Sequence, residues 1–105
     1  MQYMILHLYK EKYLDDILMA LAESGIDQTI VLAGESLEHK MAYSMPLFAG
    51  FRNDFGSSKG YAQVIMAVCE KESINFMLKE LKHSGIDFIK NEIGKIVLLP
   101  VSEEI

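Results

Sequence analysis

Apolar residues in this chain form continuous runs and spaced stripes, and the two alternate. From Tyr3 to Tyr9 (Tyr-Met-Ile-Leu-His-Leu-Tyr) almost every position is apolar, the pattern of a strand covered on both faces. Leu14, Ile17, Leu18 and Leu21 then recur at i, i+3, i+4 and i+7, the stripe of an amphipathic helix. Asp15 and Asp16 favour the positive start of that helix. Gly25 suits the left-handed position just past its end, and Ile26 the apolar contact that follows. Thr29 to Ala33 is β-branched and apolar, a second strand. The series returns from Gly25 to Gly85, 60 residues on. Tyr61 to Cys69 is a continuous run. Ile74, Met77, Leu78 and Leu81 repeat the stripe, with Ser73 as the expected N-cap, and Ser84-Gly85-Ile86-Asp87 repeats Ser24-Gly25-Ile26-Asp27. Phe88 to Glu92 leads to Gly94-Lys95, and Ile96 to Val101 reads as a last strand stopped by Pro100.

Between the halves, from Gly34 to Gly60, no helical stripe survives, and Gly50, Gly56, Asn53-Asp54 and Ser57-Ser58 are turn residues. Leu37 to Ser44 is read as an extension of strand two, one arm of a ribbon. The order is β-α-β, loop, β-α-β. It predicts an α+β fold, a ferredoxin-like βαββαβ sandwich whose antiparallel sheet carries both helices on one face. One domain over 1–105 with a long loop at about 34–60 is expected. Two helices cover only one sheet face, yet strands one, three and four are apolar on both. The bare face is therefore expected to be buried between subunits of a closed oligomer.

The totals narrow the function classes. A chain of 105 residues has room for one real core and no second. The net charge of −5 and the single arginine, Arg52, provide no basic field for a nucleic acid. No apolar run approaches the roughly 20 residues of a membrane span. The lone Cys69 and the lack of a signal-peptide pattern near Met1 make a cytoplasmic location the expectation.

Candidate chemistry is sparse. His7, His39, His83 and Cys69 are soft-metal ligand types, but no pair has the spacing of a helical metal site. His7 and Cys69 are expected to approach each other on neighbouring strands, and a core thiol beside an interface imidazole accounts for them without a metal. No nucleophile, base and orienting group form a recognisable catalytic set, and no catalytic residue is assigned. Asp54-Phe55-Gly56 has no accompanying kinase motif, and Gly56-Ser57-Ser58-Lys59-Gly60 reads as a hinge. Gly94-Lys95, a turn before the last strand, offers backbone N–H groups and an ammonium to an anion. Met45-Pro46-Leu47-Phe48-Ala49-Gly50-Phe51-Arg52 combines apolar side chains with the one arginine, the composition of an interface hot spot. Met45, Leu47, Phe48, Phe51 and Arg52 are its candidate partner-binding residues.

Two stretches resemble a family. Leu14-Asp15-Asp16-Ile17-Leu18-Met19-Ala20-Leu21-Ala22-Glu23-Ser24-Gly25-Ile26 is similar to the first helix of the nitrogen regulatory PII signalling proteins. Gly94-Lys95-Ile96-Val97-Leu98-Leu99-Pro100-Val101-Ser102-Glu103-Glu104 is similar to their last strand and the acidic pair after it. The resemblance implies a cytoplasmic homotrimer with inward-facing sheets and a regulator without chemistry of its own. It also implies a long loop that docks on a transporter, enzyme or transcription factor. Adenine nucleotides, ATP or ADP, are the ligands it implies, held in clefts between subunits. On this chain Lys95 would contact phosphate and Gly94 would let the backbone approach it. Gly34, Glu35 and Ser36 would form the base of the loop. The chain departs from the family pattern in its short turn, Asn91-Glu92-Ile93, before Gly94-Lys95. It also has no arginine from Val101 to Ile105 and a different context around Tyr43, which is not assigned as a modified residue.

Two rival readings share the fold. One is a metal or small-molecule trimer like the divalent-cation tolerance proteins, using His7, His39 or Cys69. The other is an enzyme with Lys95, Arg52 and Asp54 at a subunit junction. Fold alone does not separate them.

Overall fold

Strand β1 (Gln2–Leu8) sorts its side chains by alternation: Met4, Leu6 and Leu8 are fully buried, while Tyr3, Ile5 and His7 are half-buried on the opposite face. A single 3₁₀ turn (Glu11–Tyr13) leads into helix α1 (Leu14–Glu23), which buries Ile17, Ala20 and Leu21. Strand β2 (Ile30–Glu35), helix α2 (Leu37–Ser44), strand β3 (Tyr61–Cys69), helix α3 (Lys71–His83) and strand β4 (Gly94–Pro100) complete the order. This computed structural model describes residues 1–44, 47 and 61–105.

All strand pairs are antiparallel, in the order β2-β3-β1-β4. Helices α1 and α3 lie together over the face that presents Met4, Leu6, Leu8, Ile65, Ala67 and Cys69, and their Ile17, Leu21, Ile74, Met77 and Leu81 complete the core. Every stripe residue read from the sequence is buried or packed against this cluster. The fold is the ferredoxin-like sandwich that the hydrophobic pattern predicts.

Both Ser-Gly-Ile-Asp repeats end their helices as expected. Gly25 and Gly85 have φ of +76° and +82°. The N–H of Ile26 bonds to the carbonyl of Leu21 at 3.0 Å, and that of Ile86 to Leu81 at 2.8 Å. These bonds satisfy carbonyls that a helix end leaves open.

Two local expectations need correction. Leu37 to Ser44 is a helix, not a ribbon arm. Ser36 caps it, accepting the His39 N–H on its hydroxyl oxygen at 3.2 Å, and the Lys40 N–H makes the first helical bond to the Ser36 carbonyl at 3.0 Å. Capping and the helix formers Glu38, Lys40, Met41 and Ala42 decide the local structure without an apolar stripe. Ser73 is not the N-cap of α3. Glu70, extended at φ −91° and ψ 151°, holds that position immediately after β3, and Ser73 lies in the first turn.

The sheet face away from the helices is apolar across all four strands. Tyr3 pairs with Val68 and Leu99, Ile5 with Met66 and Val97, and β2 adds Ile30 and Leu32. Ile30 and Leu32 are 57 % and 50 % exposed. No described helix covers this face.

Candidate functional site

The two ligand-binding segments read from the sequence, Gly34-Glu35-Ser36 and Gly94-Lys95, lie at one end of the sheet. Gly34 pairs with Ala62 on β3, Gln63 with Leu8 on β1, and Leu8 with Gly94 on β4. Gly34, Glu35 and Ser36 thus share an end with Gly94 and Lys95. They do not share an edge. β2 and β4 are the two outer strands, and three strand spacings separate them by about 14 Å. One chain holds the two groups apart.

On the β2 edge the chain leaves the strand through a short clasp. Nδ1 of His39 lies 2.5 Å from Oε2 of Glu35, and the Lys40 ammonium lies 4.0 Å from the other carboxylate oxygen. His39 is 4 % exposed, so its ring is fixed by packing as well as by Glu35. The Lys40 ammonium partly offsets the Glu35 charge that would otherwise oppose an anion here. A methyl on Gly34 would sit 3.3 Å from the Ala62 carbonyl oxygen, so the backbones are close at this point.

On the β4 edge the turn is strapped to the end of β1. The N–H groups of Tyr9 and Lys10 donate to the Ile93 carbonyl at 2.9 and 3.3 Å, and the Lys10 ammonium donates to the Asn91 carbonyl. Lys95 is exposed beside His7 in the β1–β4 register. Glu92 has a φ of +51°, a left-handed conformation that disfavours side chains, two residues before Gly94. A cavity of about 450 Å³ opens there between Tyr9, Phe88, Ile89, Lys95 and Ile96. The Lys95 ammonium, the Glu92 carboxylate and the backbone at Gly94 form its polar side, and the apolar, partly aromatic wall suits a flat apolar body whose polar end reaches Lys95.

Sequence reasoning missed Lys10 and Tyr9, and it weighed His39 only as a metal ligand, not as the partner of Glu35. The first two join the site only through the β1–β4 register, which a single strand pattern does not reveal. His39 had a signal, Ser36 three residues before it and Glu35 four before it. Of the loop residues read as partner-binding, Leu47 is exposed at 85 %, and Met45, Phe48, Phe51 and Arg52 lie outside the described residues, as does Asp54. His7 and Cys69 do not approach each other: His7 pairs with Val64, whereas Cys69 pairs with Gln2 at the far end of the ladder. Antiparallel pairing sends equivalent ends of neighbouring strands apart. Among the described residues no group of three His, Cys, Asp or Glu side chains could hold a metal ion. Nor is any described helix long and apolar enough to cross a membrane.

The fold is PII-like. Among solved structures, the chain is similar to CPII, a nitrogen regulatory PII-like protein from Thiomonas intermedia K12 bound to ADP, AMP and bicarbonate. The TM-score is 0.52 with 14 % identity, over 93 % of this chain and 82 % of that one. No protein-family model and no curated protein matches the sequence.

Proposed function

We propose that this chain is a non-enzymatic, cytoplasmic PII-like regulator. It forms a homotrimer, senses an adenine nucleotide in the clefts between subunits, and controls a protein partner through the segment 34–60. The observation that carries this reading is the division of the candidate residues between opposite edges of one sheet, at the same end. A neighbouring copy that brings its β2 edge to the β4 edge completes the set. The bare apolar face gives the copies a reason to associate, since soluble monomers rarely expose such a surface. CPII, of similar fold, holds ADP and AMP, which favours this ligand class over others of similar size.

In the assembled cleft Lys95 meets the phosphates, Gly94 admits their close approach, and Gly34, Glu35 and Ser36 line the opposite wall. Ligand bound against Ser36 and the Glu35–His39 clasp biases the start of α2, and with it the path of the loop toward its partner.

Light scattering and a thermal-shift series test the proposal. The expected mass is three times 11.9 kDa. ATP or ADP at about 100 times its dissociation constant should stabilise the fold by about 2.7 kcal/mol, and Lys95→Ala should remove most of that shift. A stable monomer, or a nucleotide shift unchanged by Lys95→Ala, refutes it.

A further inference from the structure

Behind the β4 turn, on the outer face of α3, lies a second pocket, of about 320 Å³. Its floor is Phe88, buried to 7 % exposure, with Leu78 beside it. Ile89 forms a wall that is itself 82 % exposed, with no described side chain covering it. Asn75, Lys79 and Lys82 stand at i, i+4 and i+7 of α3, so their polar ends converge on one rim. The only carboxylate in the lining is Asp87, and its Oδ1 is occupied by the turn, accepting N–H groups from Ile89 at 3.2 Å and Lys90 at 2.9 Å. Its other oxygen lies 4.0 Å from the Lys82 ammonium. Lys79 makes no ion pair among the described residues. The rim is thus locally positive on a chain whose net charge is −5.

We propose that this pocket binds a small amphipathic carboxylate. The apolar body rests on Phe88 and Leu78 under Ile89, and the carboxylate lies between Lys79 and Lys82 with the Asn75 amide as a further donor. A volume of this size suits a compact aromatic or short acyl acid. Charge favours the class: a carboxylate gains Lys79, whose ammonium has no ion-pair partner among the described residues, whereas a cation is repelled by it and a neutral ligand gains nothing from it. The pocket shares Leu78, Phe88 and Ile89 with the cavity beside Lys95, but its polar rim is its own, and it needs neither Lys95 nor a second copy.

The full chain titrated with 4-phenylbutyrate, followed by amide NMR shifts and calorimetry, tests this. Saturable binding is expected, with the largest shifts at Phe88, Ile89 and Lys79. The neutral analogue 4-phenylbutan-1-ol should bind at least about fivefold more weakly, as should the acid to Lys79→Gln/Lys82→Gln, from the loss of two exposed charge contacts. Ile89→Ala should weaken both compounds alike, and Lys71→Gln, on the first turn of α3, neither. Equal affinity for acid and alcohol overturns the proposal. So does a double variant within about twofold of the parent at an unchanged melting temperature, or no saturable binding at tens of millimolar.

Discussion

Replacing Gly94 with alanine probes the β4 turn most directly. Gly94 pairs with Leu8, and a methyl placed on it would overlap the His7 carbonyl oxygen and lie 3.0 Å from the His7 carbonyl carbon and 3.2 Å from the Leu8 Cα. These neighbours are backbone, so no rotamer change relieves the overlap; β4 must move away from β1. Overpacking of this kind costs about 1–3 kcal/mol. The shift also strains the Tyr9 and Lys10 bonds to the Ile93 carbonyl, each worth about 0.5–1.5 kcal/mol. A total near 3 kcal/mol lowers a urea midpoint by about 1–3 M for ordinary slopes. Gly85→Ala is the control. Its φ is +82° with nothing within 4 Å of the added carbon, so only the left-handed backbone is penalised, by about 1–2 kcal/mol. Equilibrium urea unfolding of the two variants compares the mechanisms. If Gly94→Ala costs no more than Gly85→Ala, the close approach of β1 and β4 does not govern this turn.

Glu92→Gly should raise the melting temperature by several degrees, since it relieves a left-handed side-chain position worth about 1 kcal/mol; a fall would mean that the Glu92 side chain holds the turn. The N–H of Lys90 chiefly holds the Asp87 carboxyl below its ordinary range, against an opposing effect of burial and with help from the Lys82 charge. The folded value lies below the unfolded one, so this contribution is present above about pH 3.9 and is lost as pH falls through the folded value. Acid titrations of stability should show a shallower loss in Asp87→Asn than in the parent. Burial, and then the neighbouring Glu70 charge, push the Cys69 thiol up. At pH 8 it should react with a disulfide reagent much more slowly than in the urea-unfolded chain, and Glu70→Gln should speed the reaction slightly.

The scaffold was legible because burial imposes periodicity. Ile17, Leu21, Met77 and Leu81 lie under the sheet at the positions their spacing required, and Gly25 and Gly85 had few other roles available to a glycine after such stripes. The repeat misleads only at its last residue. Asp27 is followed by Gln28, at a φ of +51°, and then by a strand, whereas Asp87 caps a turn closed by the Asp87 N–H donating to the Asn91 side-chain oxygen at 2.8 Å. Identical quartets thus lead to different connections, decided by what lies four residues on. Helix α2 escaped for the opposite reason, being made by a cap and intrinsic propensity rather than by a buried face. The site was half legible. Gly94-Lys95 and Gly34 stood out as residue types, but their common end and opposite edges depend on strand order and register.

That arrangement has a genetic consequence. In the proposed ring each chain lends its β2 end to one neighbour's cleft and its Lys95 end to the other's. A lesion at Lys95 and a lesion at Glu35 or Ser36 damage opposite halves, so two alleles that each abolish sensing alone should complement when co-expressed, because some clefts in mixed assemblies draw both halves from undamaged sequence. Two lesions in the same half should not.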